Sequence, residues 1–202
     1  MTKIDFKKEL KHLYGPSAKK IEFLDVPMMN FLMIDGVGDP NTAQEYKDAI
    51  EALFTVSYTL KFMVKTEKGV DYGVLPLEGL WWVDDMTQFS TENKDAWKWT
   101  SMIMQPDFVT EDFVNKALEQ VKKKKDLPAL PKIRFSSFHE GLSAQTMHVG
   151  PYSNEAPTIE KLHRFVKENG HDLRGKHHEI YLSDPRRSKP EKLKTVIRQP
   201  IK

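Results

Sequence analysis

A proline-rich break, Leu127-Pro-Ala-Leu-Pro131, divides the chain, and the order of elements on either side of it constrains the fold most. No helix runs through two such prolines. Before the break, Asn30–Val37 is apolar and reads as a strand. Gly38-Asp39-Pro40-Asn41-Thr42 reads as a turn into a helix, with Thr42 three residues before Glu45 as in a capping box. From Ala43 to about Lys65, Tyr46, Ala49, Ile50, Leu53, Phe54, Val56 and Leu60 recur at helical spacing. Tyr72–Val83 and Ala96–Met104 read as strands. After the break come strand-like segments within Ile133–Val149, a turn at Gly150–Asn154 and a helix over Ala156–Asn169 with Gly170 past its end. Strands follow at His177–Leu182 and Leu193–Ile197. A short helix is expected over residues 2–13 and another over Thr110–Lys124. Strand, glycine turn, helix, strand, strand thus occurs twice.

That repetition predicts an α+β fold built by pseudo-twofold duplication of a strand–helix–strand–strand module. Matching the turns sets Gly38 against Gly150, an offset of 112, and matching two strand glutamates sets Glu78 against Glu179, an offset of 101. The difference is about three helical turns, the excess of the first helix over the second. One domain is expected over residues 1–202: a first half at about 19–108, a connecting helix and linker at 109–131, and a second half at 132–202. The sheets of the halves should form one ligand groove, with the helices Ala43–Lys65 and Ala156–Asn169 on its outer side.

The chemistry is expected between Asp71 and Trp99, which holds all four tryptophans, Trp81, Trp82, Trp97 and Trp99. Alternation puts Glu78, Leu80 and Trp82 on one strand face and Trp97 and Trp99 on one face of the next. A strand core has no use for an unpaired glutamate, because burying the charge is costly. Either Glu78 sits at a solvated strand end beside core tryptophans, or it is a carboxylate set among aromatic rings. With the halves related by a twofold axis, Glu78 and Glu179 approach one cleft from opposite sides. Tyr181, and Tyr152 from the second glycine turn, then add aromatic surface. Glu179 and Tyr181 share a strand face. A mostly apolar cleft with a few polar groups is the usual form of a small-molecule site.

Composition excludes several classes. There is no cysteine, hence no disulfide framework, thiol nucleophile or thiolate metal site. No apolar run approaches the roughly 20 residues of a membrane span. The N-terminus lacks the apolar core of a secretory signal, and together these features favour the cytoplasm. The net charge of +2 combines an acidic residues 1–121 with a basic residues 122–202. No helix-turn-helix or aromatic-basic RNA-binding pattern accompanies the basic half, so no nucleic-acid partner is expected. His177 and Glu179 share a strand face, but two ligands without a third make no metal site. GVGDP lacks the lysine and spacing of a phosphate loop. No metal or cofactor is expected.

Four segments carry a family resemblance: FLMIDGVGDPN at 31–41, LWW at 80–82, HVGPYSN at 148–154 and HHEIYLSDPRR at 177–187. In order and spacing they resemble the GyrI-like small-molecule-binding proteins, from about Lys19 to the C-terminus. The resemblance implies two SHS2-type repeats around a groove. In drug-sensing relatives the groove binds flat, often cationic, hydrophobic compounds, and a strand glutamate matched here by Glu179 faces the ligand. Those sensors carry an N-terminal DNA-binding domain, which this sequence lacks, arguing against a transcription regulator. The sequence is also similar to stand-alone members, the cyclopropanoid cyclopropyl hydrolases, in which an aromatic cage holds DNA-alkylating compounds whose strained ring is opened by water. The resemblance therefore implies a hydrolase of planar hydrophobic molecules. Ring opening needs a base for the water, Glu179 or else Glu78, and a donor to the developing oxyanion, Tyr181. The walls would come from Trp82, Trp99, Trp97, Trp81 and Tyr152. The alternative is a binding or sequestration protein, since a glutamate among aromatic rings also attracts organic cations.

Overall fold

The computed structural model of the protein describes residues 1–89 and 94–202. Along the chain run β1 (Thr2–Ile4), α1 (Phe6–Glu9), α2 (Lys11–Tyr14), β2 (Glu22–Val37), α3 (Gln44–Lys68), β3 (Val70–Tyr72), β4 (Leu77–Trp82), β5 (Lys98–Gln105), α4 (Glu111–Lys122), β6 (Arg134–Val149), α5 (Ala156–Glu168), β7 (His177–Tyr181) and β8 (Lys194–Pro200). The fold is mixed, with helices set against a sheet. Among the described residues, β2-β5-β4-β7-β8-β6 close into a barrel whose neighbours are all antiparallel. β1 pairs with β3 in a separate parallel ribbon.

The three strands before the break and the three after it pair in the same order, β2-β5-β4 and β6-β8-β7, and join through β2–β6 and β4–β7. The Gly38 N–H donates to the Trp97 carbonyl at 2.8 Å, and the Gly150 N–H to the Leu193 carbonyl at 3.0 Å, at corresponding places beyond β2 and β6. Both glycines have positive φ, 104° and 143°, which L-residues rarely adopt. The same pairing corrects the match of the glutamates. Val37 faces Lys98 as Val149 faces Lys194, and Leu80 faces Thr100 as Ile180 faces Val196. Leu80 therefore answers to Ile180, and Glu78 to His178. In a pleated strand a shift of one residue changes the face.

The two longest helices against the sheet, α3 and α5, cover the outside of the barrel. α3, 25 residues long and ended by Gly69 at φ 66°, buries Ala49, Leu53, Val56 and Leu60. α5 buries Leu162 and Val166 against Ala144 and Ile197. Because α3 and the start of α5 lie over the sheet face that bears the groove, they wall it instead of backing it. The expected helix at residues 2–13 is β1 followed by the short α1 and α2. Leu127–Pro131 is not a free linker: Leu127, Ala129 and Leu130 are buried in the core. Part of the charge asymmetry is matched across the chain, as in the Arg134–Asp35 pair at 2.8 Å. No described helix is long and apolar enough to cross a membrane.

The Trp99 ring lies flat on Gly36, where an added Cβ would stand 2.1 Å from Cζ2. Gly36 is thus required by a side chain on the neighbouring strand. Gly36→Ala is expected to destabilise the fold by about 1–3 kcal/mol, the usual range for overpacking. Urea unfolding followed by tryptophan fluorescence checks this, and an unchanged midpoint would mean that Trp99 moves aside freely.

Candidate active site

β4 and β7 run side by side, and alternation sorts their residues onto two faces. Gly79 and Trp81 lie beside Glu179 and His177 on the outer face. Gly79 leaves room there for the Trp81 indole, whose Nε1 would be 2.7 Å from a Cβ at 79. Over this face, between it and the wall formed by α3 and the start of α5, lies an open groove of about 1790 Å³.

Glu179 forms the polar centre of the groove floor. The Tyr181 hydroxyl donates to its Oε2 at 2.7 Å, and His177 Nε2 lies 3.0 Å from its Oε1. The Trp81 N–H donates in turn to the Tyr181 oxygen at 3.1 Å. Burial pushes the Glu179 carboxyl up, but hydrogen bonds from His177 and Tyr181, with the nearby Lys94 charge, outweigh it and hold Glu179 below the usual carboxylate range. Burial and the Glu179 charge drive the Tyr181 phenol well above its ordinary value. The base is thus held ionised on the groove floor.

Aromatic rings surround this centre. Tyr46, from the first turn of α3, lies 5.6 Å from Trp81 and 5.1 Å from Trp99, centroid to centroid. Trp97 stands 5.4 Å from Trp81, and Phe89 stacks on Trp97 at 4.9 Å with planes 19° apart. Tyr152 meets Tyr181 edge-on at 5.7 Å. Burial first, then the Glu155 and Glu179 charges, push the Tyr152 phenol up to about 12. Lys94 lies 5.1 Å over the Trp97 ring.

The expected site residues therefore separate. Glu179, Tyr181, Trp81, Trp97 and Tyr152 line the groove. Trp99 is fully buried behind Tyr46. Trp82 points to the opposite face, under the Lys176 ammonium at 3.3 Å from its ring centroid. Glu78 also faces inward and shares no cleft with Glu179. Inside the barrel the Tyr14 hydroxyl donates to Glu78 Oε1 at 2.7 Å, and His178 Nε2 approaches Glu78 Oε2 at 3.0 Å. His178 Nδ1 meets Glu140 at 2.9 Å, and Arg198 reaches Glu140 at 3.1 Å and the Leu13 carbonyl at 2.6 Å. This buried network anchors α2 in the end of the barrel.

Sequence reasoning missed Tyr46, Phe89 and Lys94 as groove residues. Tyr46 carried a signal as the first apolar residue of the α3 stripe. His177 was weighed as a metal ligand and is instead the partner of Glu179. Among the described residues no three ligating side chains are grouped to hold a metal ion.

Solved structures share this fold. A structure of an uncharacterized conserved protein from Listeria innocua superposes with a TM-score of 0.91 at 44% identity, covering 98% of this chain and 100% of that one. A hydrolase from Listeria innocua superposes with a TM-score of 0.85 at 44% identity, with the same 98% and 100% coverage. The C-terminal domain of EcmrR shares the fold at a TM-score of 0.56 and 12% identity, over 91% of this chain and 97% of that one. No curated protein matches the sequence. Residues 19–202 match the model of the GyrI-like small molecule binding domain, and the chain belongs to that family.

Proposed function

We propose that the groove binds a planar, hydrophobic small molecule and adds water to a strained three-membered ring fused to its conjugated system. The observation that carries this reading is a desolvated carboxylate, Glu179, fixed by Tyr181 and His177 among aromatic rings. The description of a 44% identical relative as a hydrolase supports it.

In this reading Glu179 takes a proton from water. The hydroxide oxygen bonds to a ring carbon, the strained C–C bond breaks, and its electron pair moves into the conjugated carbonyl, whose oxygen then takes up a proton. Trp81, Trp97 and Tyr152 give the flat substrate an apolar lining that excludes bulk water. The Tyr181 hydroxyl already donates to Glu179, so its part is to orient the base. Sequestration without chemistry is the second reading, favoured by the same carboxylate, which suits a flat organic cation. We read residues 19–108 and 132–202 as two copies of one module within a single domain, and the shared pairing order supports that reading.

The test uses a spirocyclopropyl dienone fused to an aromatic ring. Chromatography should show the ring-opened hydroxyethyl phenol forming well above the uncatalysed rate, with saturation in a parallel binding titration. Tight binding with product only at the uncatalysed rate would leave sequestration.

A further inference from the structure

The chemistry above leaves one proton without a donor. Opening the ring puts negative charge on the former carbonyl oxygen, and the two polar residues flanking Glu179 are turned toward it. The Tyr181 proton and His177 Nε2 both serve Glu179.

Glu155 lies between the turn Tyr152–Asn154 and α5. It is 5% exposed, and among the described residues its buried Oε1 has no hydrogen-bond partner. A glutamate at the start of a helix is ordinarily read as a cap. Glu155 makes no side-chain cap hydrogen bond to α5; its carboxyl instead interacts with Thr195 and Glu179. It lines the groove together with Glu179, Tyr181 and His177.

We propose, on the basis of the hydrolytic reading, that Glu155 is the general acid of the reaction and delivers its carboxyl proton to the oxygen of the opening ring. Electrostatics divides the labour between the two carboxyls. Burial, then the Glu179 charge, raises Glu155 to about 9, with the Thr195 hydrogen bond and then the Lys94 charge pulling the other way. Glu179 is held low by its two hydrogen bonds. Near neutral pH one carboxyl is protonated and its neighbour ionised, the arrangement by which paired carboxyls serve as acid and base. The balance also closes. Glu179 gains the water proton, Glu155 loses one to the product, and transfer from Glu179 to Glu155 restores the pair without drawing on solvent.

The test measures kcat against pH for wild type, Glu155→Gln and Glu155→Asp, using aryl-fused spirocyclopropyl dienones whose product phenols differ in acidity. Gln mimics the neutral carboxyl, so the fold should hold, as thermal unfolding will report. In wild type, kcat should fall as pH rises through about 9, where Glu155 loses its proton beside Glu179, Lys94 and Tyr152. Wild-type rates should depend weakly on phenol acidity. Glu155→Gln should lose that basic limb, lower kcat by about 10²-fold and make the rate depend strongly on phenol acidity. Its affinity for the ring-opened phenol should not change, and Glu155→Asp should recover part of the rate. A lower kcat with the limb and the acidity dependence intact would mark a structural residue and overturn the assignment. So would a wild type lacking the basic limb, a result that needs no variant. Wild-type behaviour in Glu155→Gln would overturn the assignment while leaving hydrolysis standing. No turnover by wild type would remove hydrolysis and the general acid together.

Discussion

Glu179→Gln is expected to bind the planar probe with nearly wild-type affinity and to lose turnover by about 10²–10⁴-fold. Gln keeps the shape of the side chain and accepts a hydrogen bond from Tyr181, but it cannot take a proton from water. The loss should appear in kcat, with Kd for the ring-opened phenol little changed, because the aromatic walls that hold the ligand are untouched. Stopped-flow turnover and a binding titration on the same samples check this. Full activity in the variant would remove Glu179 as the base. Glu78→Gln serves as the contrast: Glu78 lies across the sheet from the groove, hydrogen-bonded to Tyr14 and His178, so its loss should be read in stability more than in turnover.

Arg198→Met is expected to lower stability by about 3–5 kcal/mol, the usual cost of breaking a buried ion pair by removing one partner. Arg198 is 1% exposed and binds Glu140, Gln145 and the Leu13 carbonyl. Inside the barrel two basic side chains, Arg198 and His178, face two acidic ones, Glu140 and Glu78, and removing one leaves a buried charge unmatched. Urea unfolding gives the number, and a loss below about 1 kcal/mol, the scale of an exposed pair, would contradict it. The network also shapes stability against pH. Burial lowers His178, but Glu140 and Glu78 raise it from 6.5 to about 9, so its contribution is whole below pH 6.5 and fades as pH rises toward 9. Burial raises Glu140, but His178 and Arg198 bring it from 4.5 to about 2, so its contribution is whole above pH 4.5 and fades as pH falls toward 2. This contribution should therefore be greatest between about pH 4.5 and 6.5.

The helices were readable because an amphipathic stripe marks its own period. The helix expected from Ala43 to about Lys65 is α3, Gln44–Lys68, and that expected at Ala156–Asn169 is α5, Ala156–Glu168. Long strands were less legible. The first half of β2 pairs with β6 alone, since β5 pairing starts at Asn30, so it is partly exposed and lacks a continuous apolar run. Pro27 is tolerated there because no second neighbour needs its N–H. The sorting of tryptophans depended on facts that no single strand carries. Which of two faces becomes the outside of a barrel is set by closure with strands about a hundred residues away. Hence Trp82 looked as suited to a ligand as Trp81 does in the folded chain, while Trp99, on the same face as Trp81, is lost to the groove because Tyr46 of α3 covers it. Glu78 and Glu179 looked equivalent because both stand in apolar strands, and one residue of register separates their surroundings.

The closed barrel has a consequence for how the protein is made. Both of its seams, β2–β6 and β4–β7, need residues from 134 onward, and the interior network needs Arg198 of β8. On the ribosome the sheet β2-β5-β4 emerges first, with both outer strands unpaired and its acidic interior residue Glu78 lacking the basic partner that comes with β7. Such a sheet offers two templates for wrong pairing, and the distance between seam partners makes correct closure slow. Yield in a cell should therefore follow the interval between release of β5 and release of β8 more than the final stability of the barrel.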